Sequence, residues 1–328
     1  MASPAPLVIV TRRLPQGIEK RMTEKFRVRL NETDEPMNAS TMIAAVKEAD
    51  ILVPTVTDKV GPDIIAAAGP QLKLIANFGV GYNHIDVKGA AAKGIQVSNT
   101  PGVLTDATAD ITMTLLLAVT RRAVEGSKVL EAGQFKGWCP TWMMGVGLRG
   151  RKLGIVGMGR IGEAVAERAK AFGMLIHYHN RRPAAPDVEK TLAATFWPNL
   201  DAMLPEMDIV SINCPYTPDT FHLMSAERLR LLKTSCYLVN SARGEIIDEA
   251  ALADALAEGR LAGAGLDVFE KEPQVHPKLL GQKNAVLLPH LGSSTIEART
   301  GMGEKVIANI DAYLSGRALA DPVRPPGG

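Results

Sequence analysis

The sequence predicts an α/β protein built on two doubly wound parallel sheets. Apolar, β-rich runs alternate with alanine-rich stretches of helical periodicity along nearly the whole chain, which is typical of helices covering both faces of a parallel sheet. The 328 residues are about twice the length of one typical domain. The runs also fall into two sets with a long helical stretch between them, so we expect two domains.

Five apolar runs predict the first sheet and six predict the second. The first five are LVIVT (7–11), a weak strand near Val28, ADILVPT (49–55), LKLIANF (72–78) and IQVSNT (95–100). The other six are KLGIVG (152–157), LIHYHN (175–180), DIVSINC (208–214), SCYLVNS (235–241), AGLDVF (264–269) and AVLLPH (285–290). Six strands is the number that a complete dinucleotide-binding sheet requires.

A glycine-rich string opens the second set of elements. Gly157, Gly159 and Gly162 form a G-x-G-x-x-G pattern that follows a predicted strand directly and begins a helix. In this setting the first glycine permits the turn, the second lets a pyrophosphate approach, and the third lets helix and strand pack closely. We therefore expect residues 157–162, with Arg160 and Ile161, to bind a dinucleotide at the helix N-terminus. A glycine-rich turn without a ligand is the alternative.

The end of the second strand of this sheet indicates which dinucleotide is bound. An NAD site usually has an acidic residue about 20 positions after the first glycine. Here the stretch contains Asn180, Arg181 and Arg182. A neutral amide and two guanidinium groups can pair with a 2′-phosphate, which an acid would repel. NADPH is the predicted cofactor, and a solvated loop with no ligand is the alternative reading of the arginines.

Two predicted helices connect the sets of strands. A helix from about 104 to 122 joins the first sheet to the second, and one from about 293 to 315 follows the last strand and is long enough to return. We therefore predict a discontinuous substrate domain, residues 1–100 and 291–328, and an NAD(P)-binding domain, residues 101–290.

Charge and cysteine content exclude several classes of protein. The 37 Lys and Arg against 35 Asp and Glu leave a net charge of +2, too small to hold nucleic acid by the overall field. Three cysteines without C-x-x-C spacing predict neither disulfides nor a metal site, and they indicate the reducing cytoplasm. The longest apolar helical stretch, 111–120, is about half a membrane span, so no membrane segment is expected.

Three polar residues follow successive strands of the second sheet. Arg243 and Glu272 follow two of the last three predicted strands, and His290 ends the third. The carboxyl ends of parallel strands share one edge of a sheet. Together the three residues supply a cation for a carboxylate, an acid that orients a histidine, and a proton donor for a carbonyl oxygen. That combination is what the reduction of an α-keto acid requires. Taken singly, each has a plain reading as a turn cation, a surface acid or a strand-end histidine.

Six strings along the chain resemble the D-isomer-specific 2-hydroxyacid dehydrogenases. They occur in the order of that family and are GVGYNHID (79–86), TDATAD (105–110), GMGRIG (157–162), NSARGEIID (240–248), LDVFEKEP (266–273) and PHLGSST (289–295). The resemblance implies two Rossmann-like domains, of which the substrate domain is flavodoxin-like, and a homodimer formed through the cofactor domains.

The resemblance also implies roles for individual residues. Arg243 would bind the substrate carboxylate and polarise the keto oxygen, while Glu272 and His290 would form the acid/base pair. Backbone N–H groups of Val80 and Gly81 would hold the carboxylate. Thr108 would lie near the nicotinamide, and Asp267 would accept from its carboxamide. Cys214 and Pro215 are also expected near the cofactor, because they stand at the end of a predicted strand.

Within the family, the chain is most similar to the NADPH-dependent glyoxylate and hydroxypyruvate reductases. The similarity lies in the neutral residue and arginines at the specificity position and in the segment GWCPTWMMG (137–145). Trp138 of this segment is expected to reach the substrate pocket of a partner subunit, or to pack at a dimer contact. A short phosphoglycerate dehydrogenase and a nucleotide-sensing, corepressor-like binding protein remain as alternative functions.

Overall fold

A computed structural model describes residues 5–325 and shows two compact units, divided at Leu104/Thr105 and at Ser293/Ser294. The first unit contains a five-stranded parallel sheet with the order β2-β1-β3-β4-β5. Its strands are β1 (Leu7–Val10), β2 (Arg27–Arg29), β3 (Ile51–Val53), β4 (Leu74–Ala76) and β5 (Gln96–Ser98). The central strands are buried on both faces, as expected where helices cover a parallel sheet.

The second unit contains a seven-stranded parallel sheet with the order β12-β11-β10-β9-β6-β7-β8. Its strands are β6 (Lys152–Val156), β7 (Leu175–His179), β8 (Thr195–Phe196), β9 (Ile209–Ile212), β10 (Tyr237–Asn240), β11 (Gly263–Leu266) and β12 (Ala285–Leu287). The two sheets confirm the predicted fold class. The prediction of six strands here is wrong by one, because β8 is a two-residue edge strand without an apolar run of its own.

Twelve α-helices lie in the described part of the chain. They are α1 (Gln16–Lys25), α2 (Ala39–Glu48), α3 (Pro62–Ala67), α4 (Val87–Ala92), α5 (Thr105–Thr120), α6 (Ala123–Glu131), α7 (Arg160–Ala171), α8 (Pro186–Leu192), α9 (Leu200–Met203), α10 (Ala226–Leu231), α11 (Glu249–Ala257) and α12 (Ile296–Leu314). Short polar side chains bond the first free amides of several of these helices, which explains where they begin. Such caps are Asn38, Asp86, Asn199, Ser225, Asp248 and Thr295.

Helix α5 is the central helix of the second unit. Leu115 and Leu116 are fully buried, and the helix packs on β10, β11 and β12 as well as on α7. Gly265 of β11 lies directly against Leu115 of α5. A Cβ on Gly265 would be only 2.9 Å from the Cβ of Leu115, so a side chain there would push the helix away from the sheet. The Thr112 hydroxyl is also 2.6 Å from that of Ser241, just beyond β10. Helix α5 therefore supports the three strands from which Arg243, Glu272 and His290 follow.

Helix α7 packs closely on β6, and glycine makes this possible. A Cβ on Gly162 would overlap the carbonyl oxygen of Gly157, whereas a Cβ on Gly159 would meet no atom within 4 Å. Gly157 itself has a φ of +102°, a region that favours glycine.

We predict opposite effects on stability for two glycine substitutions in this turn. Gly162→Ala should lower the melting temperature by about 3 °C or more, since overpacking against backbone costs about 1–3 kcal/mol. Gly159→Ala is the matched control and should shift it by less than about 1 °C, because nothing in the unit obstructs the methyl group. Thermal unfolding followed by circular dichroism measures both. Equal shifts for the two variants would contradict this account of the turn.

Candidate active site

Arg243, Glu272 and His290 lie at one edge of the second sheet. Each follows the carboxyl end of one of the adjacent strands β10, β11 and β12. Nδ1 of His290 is 2.8 Å from Oε2 of Glu272, and both side chains are about one-third exposed. The second oxygen of Glu272 accepts from the backbone N–H of Phe269 at 3.1 Å. The structure thus forms the predicted histidine–carboxylate pair and leaves it open to solvent on one side.

The pKa values of the two charged residues reflect this arrangement. Burial by itself would raise the pKa of Glu272, but the hydrogen bond and charge of His290, the Phe269 N–H and the charge of Arg243 together hold that pKa below its usual range. Burial lowers the pKa of Arg243, which Glu245 and Glu272 oppose. Because Glu272 is ionised near neutral pH, it accepts from Nδ1–H of His290. Nε2 is then the nitrogen available to a substrate.

The backbone of His290 has an unusual conformation that a buried acid supports. Its φ of +56° lies in the left-handed region, which for a residue with a side chain costs about 1–3 kcal/mol. The backbone N–H of His290 donates to the carbonyl of Asp267 at 2.8 Å. The Asp267 carboxylate, fully buried, accepts from the N–H groups of Leu291 at 2.6 Å and Gly292 at 2.7 Å. These three bonds hold the turn that presents His290.

Sequence reasoning missed this use of Asp267. Burial raises the pKa of its carboxyl group, although the two backbone N–H groups act in the opposite direction. Thr108 is 5% exposed and lies beside the same turn, since a Cβ on Gly292 would be 3.5 Å from Thr108 and 3.3 Å from Asp267. The two predicted nicotinamide neighbours are therefore brought together at the His290 turn. Their contact with a cofactor stays a prediction.

The glycine turn of β6 and α7 fits the phosphates of a dinucleotide. Helix α7 begins at Arg160, and no side chain caps its first amides. The space beside Gly159 is open, while Gly157 packs against the backbone of Cys214. Exposed amides at a helix N-terminus next to open space are what an anion requires. The residues of the turn thus fit a bound pyrophosphate.

Cys214 and the neighbouring Pro215 follow β9 at the same edge. Burial raises the pKa of the Cys214 thiol to about 11 and that of Cys236 to about 12. Neither thiol is therefore a nucleophile at neutral pH.

The three predicted specificity residues in the loop after β7 have different surroundings. Asn180 bonds the phosphate loop itself, accepting from Met158 N–H at 2.8 Å and donating to Met158 carbonyl oxygen at 3.3 Å. Arg181 and Arg182 are exposed. Neither forms an ion pair within the described part of the chain. The loop therefore offers two cations to a ligand, whereas the amide of Asn180 joins it to the glycine turn.

Tyr178 holds this loop, a role that its position in a strand did not reveal. Its buried hydroxyl donates to Glu189 at 2.6 Å and accepts from the N–H of Ala184 at 2.7 Å. Burial and the Glu189 hydrogen bond raise the pKa of Tyr178 to about 12, so the hydroxyl stays protonated. The arginine loop is thus bonded to the glycine turn through Asn180 and to β7 through Ala184.

In the first unit, two asparagines shape the loop of Val80 and Gly81. The side-chain amide of Asn77 donates to the carbonyls of Gly79 and Gly81, both at 3.0 Å, and that of Asn99 donates to the carbonyl of Val80 at 2.9 Å. In a trans peptide the C=O and the following N–H point in opposite directions. The N–H groups of residues 80, 81 and 82 therefore point away from the asparagines. None of these three N–H groups donates a hydrogen bond to another residue in the described part of the chain, and such a run of amides suits a carboxylate.

Helix α6 and the segment after it carry an apolar surface. None of the residues of α6 is buried, and Trp138 is 85% exposed. The other large exposed side chains of this surface are Leu130, Phe135, Trp142 and Met144. Part of it lines a cavity of about 390 Å³ beside Arg121 and Arg122. We call residues 123–145 the apolar arm.

Two further findings concern the described residues 5–325 as a whole. No helix among them has both the length and the apolar character to cross a membrane. No group of three or more metal-ligating side chains lies close enough together there to hold a metal ion. His177 and His179 instead bond Trp197, the first through the indole N–H and the second through the carbonyl.

The chain is similar to known proteins along most of its length. The NAD binding domain model of the D-isomer specific 2-hydroxyacid dehydrogenases matches residues 113–292. A glyoxylate reductase from Thermococcus onnurineus is 44% identical over 315 residues, covering 95% of this chain and 93% of that protein.

Two solved structures are similar over nearly their full length. The glyoxylate reductase from Paecilomyes thermophila has a TM-score of 0.87 at 32% identity, covering 98% of this chain and 99% of that one. An NADPH-dependent glyoxylate/hydroxypyruvate reductase from Sinorhizobium meliloti, in complex with NADP and malonate, has a TM-score of 0.88 at 36% identity, covering 98% and 97%. These matches confirm the resemblance drawn from the motifs. The chain belongs to the D-isomer specific 2-hydroxyacid dehydrogenase family and is a nicotinamide-dinucleotide-dependent oxidoreductase.

Proposed function

We propose that this enzyme reduces glyoxylate to glycolate and hydroxypyruvate to D-glycerate, with NADPH as cofactor and His290 as proton donor. The 2.8 Å contact between His290 and Glu272, next to Arg243 on the same sheet edge, carries the proposal. The glyoxylate reductases that are 32–44% identical to this chain support the choice of substrate.

Each site residue has a distinct task in this reaction. The Arg243 guanidinium binds the substrate carboxylate and polarises the keto oxygen. Amide N–H groups of Val80 and Gly81 bind the same carboxylate. A bound nicotinamide dinucleotide supplies the hydride to the carbonyl carbon. His290, held by Glu272 through Nδ1, gives the proton on Nε2 to the oxygen, which becomes the hydroxyl of the product, and is reprotonated from solvent.

The division of labour between the two units follows from these tasks. We assign the substrate domain to the unit that contains Val80 and Gly81, and the NAD(P)-binding domain to the unit that contains the glycine turn. The three free cysteines fit a location in the reducing cytoplasm.

Loss of His290 should remove the proton donor but leave cofactor binding intact. We expect His290→Gln to lower kcat for glyoxylate by about 10²-fold or more, the usual scale of general-acid catalysis. The NADPH dissociation constant, measured by fluorescence titration, should change by less than about twofold because no part of the phosphate turn is altered.

His177→Gln is the matched control, since β7 is separated from β12 by four strands, and it should keep wild-type turnover. The assay follows NADPH absorbance with glyoxylate, hydroxypyruvate and a wider panel of 2-keto acids. Unchanged turnover in His290→Gln would remove this residue from its role. A wild-type protein that binds NADPH but reduces no keto acid would favour a nucleotide-sensing binding protein.

NADPH selectivity is proposed to come from the arginine loop after β7. Arg181 and Arg182 are exposed, and no acidic residue stands at the end of β7, where NAD sites usually have one. The NADP bound to the Sinorhizobium meliloti relative supports this choice.

The double substitution Arg181→Ala/Arg182→Ala should therefore weaken NADPH far more than NADH. We expect kcat/KM for NADPH to fall by about tenfold or more, since each charge-assisted contact with a phosphate is worth about 1.5–3 kcal/mol. The value for NADH should stay within about twofold. The double substitution Arg230→Ala/Arg317→Ala removes two exposed arginines outside this loop and controls for the same change in net charge. Equal losses for both cofactors would refute the assignment.

The apolar arm is proposed as the homodimer contact of the cofactor domain. Isolated monomers rarely expose such a contiguous set of large apolar side chains. Bulky aromatic residues such as Trp138 and Trp142 are typical of interface centres.

Removal of two of these side chains should weaken self-association. Sedimentation velocity should show a dimer for the wild type and a shift toward monomer at micromolar concentration for Trp138→Ala/Trp142→Ala. Phe172→Ala, an exposed aromatic residue outside the arm, is the control and should remain dimeric. A wild-type monomer, or a dimer unaffected by the double substitution, would contradict this placement of the interface.

A further inference from the structure

A short loop carries Glu272 between β11 and β12, and its two ends are joined by one buried carboxylate. Glu249 is 7% exposed. Its Oε2 accepts from the backbone N–H of Glu270 at 2.7 Å, and its Oε1 accepts from the backbone N–H of His276 at 2.8 Å. Both carboxylate oxygens of Glu249 thus accept hydrogen bonds. They join the two ends of the loop from 270 to 276, which contains Glu272.

The backbone of Glu249 is itself firmly held. It is the first residue of α11, and the side chain of Asp248 caps this helix by accepting from the N–H of Ala251 at 3.0 Å. A carboxylate at this end of a helix is also stabilised by the helix dipole. The anchor of the Glu272 loop is therefore a rigid element rather than another loop.

A second contact joins the same loop to the segment of Arg243. A Cβ on Gly244 would overlap the backbone of Phe269 and Glu270, so the two segments of the chain are in direct backbone contact at this point. The segment from 243 to 249 hence meets the Glu272 loop twice, at Gly244 and at Glu249.

We infer that Glu249 is a positioning residue of the reaction, which acts through Glu272. By bonding the backbone at both ends of the loop it keeps Glu272 at hydrogen-bond distance from His290 and at a fixed place relative to Arg243. Glu249 lies 6 residues after Arg243, 23 before Glu272 and 41 before His290 in the sequence, and its carboxylate bonds backbone N–H groups rather than any of these three side chains. This inference rests on the proposed function.

The test begins with the isosteric substitution Glu249→Gln. Glutamine replaces one acceptor oxygen by an NH₂ group, which would face a backbone N–H and cannot accept from it. The loop should loosen at one end, and kcat for glyoxylate should fall by about tenfold, because small displacements of reacting groups are costly. The NADPH dissociation constant should change by less than about twofold. Glu258→Gln, an exposed carboxylate at the other end of α11, is the matched control and should keep full activity.

A double-mutant cycle separates positioning from general destabilisation. If Glu249 acts through Glu272, then in the Glu272→Gln background the further change Glu249→Gln should lower kcat by less than about twofold. The same tenfold loss in both backgrounds, or no loss in the first, would overturn the inference. Glu249→Asp keeps the charge but shortens the reach, so it serves for the same cycle if the glutamine variant does not fold.

The cycle also distinguishes the two levels of the proposal. A wild-type enzyme without keto-acid turnover overturns the proposed function and, with it, the role of Glu249. An active wild type with additive losses overturns the role of Glu249 alone.

Discussion

The hydrogen bond between His290 and Glu272 is the interaction on which the proposed reaction depends. The ionised Glu272 carboxylate accepts from Nδ1–H of His290, which leaves Nε2 as the nitrogen open to a ligand. The two residues come from different strand ends, so the 2.8 Å distance requires both loops to be held independently. The left-handed backbone of His290 shows that the fold accepts local strain at this point.

Buried acids supply that support, and they do so by accepting backbone N–H groups. Asp267 holds the turn after β12, and Glu249 holds the loop after β11. In the first unit Asp58 has a similar place after β3, where it accepts from the Thr11 hydroxyl and the Thr55 N–H. A charged acceptor bonds amides more strongly than a neutral one, which makes carboxylates effective at shaping loops.

The glycine turn of the second unit is held in place by close contact between backbone segments rather than by a buried acid. Gly157 and Gly162 remove the side chains that would separate β6, α7 and the chain after β9. Gly159 leaves free space in front of uncapped helix amides. The arginine loop is then tied down by Tyr178 and by the bonds of Asn180 to Met158. In the proposed NADPH site, rigid attachment of this kind would let the two exposed arginines bind a phosphate without a large entropic cost.

Residue periodicity and motif spacing were enough to predict both parallel sheets, the glycine turn, and the convergence of Arg243, Glu272 and His290, because these depend on local pattern and on the shared edge of parallel strands. Several other features could not be predicted in this way. They are the edge strand β8, the hydrogen bonds of Tyr178 and of Asn180 to neighbouring loops, and the backbone N–H groups bound by Asp267 and Glu249. Each of them is a hydrogen bond of a side chain, or a two-residue strand pairing, between residues 6 to 27 positions apart in the sequence. Such contacts exist only once packing has brought the partners together, and no periodicity along the chain records them.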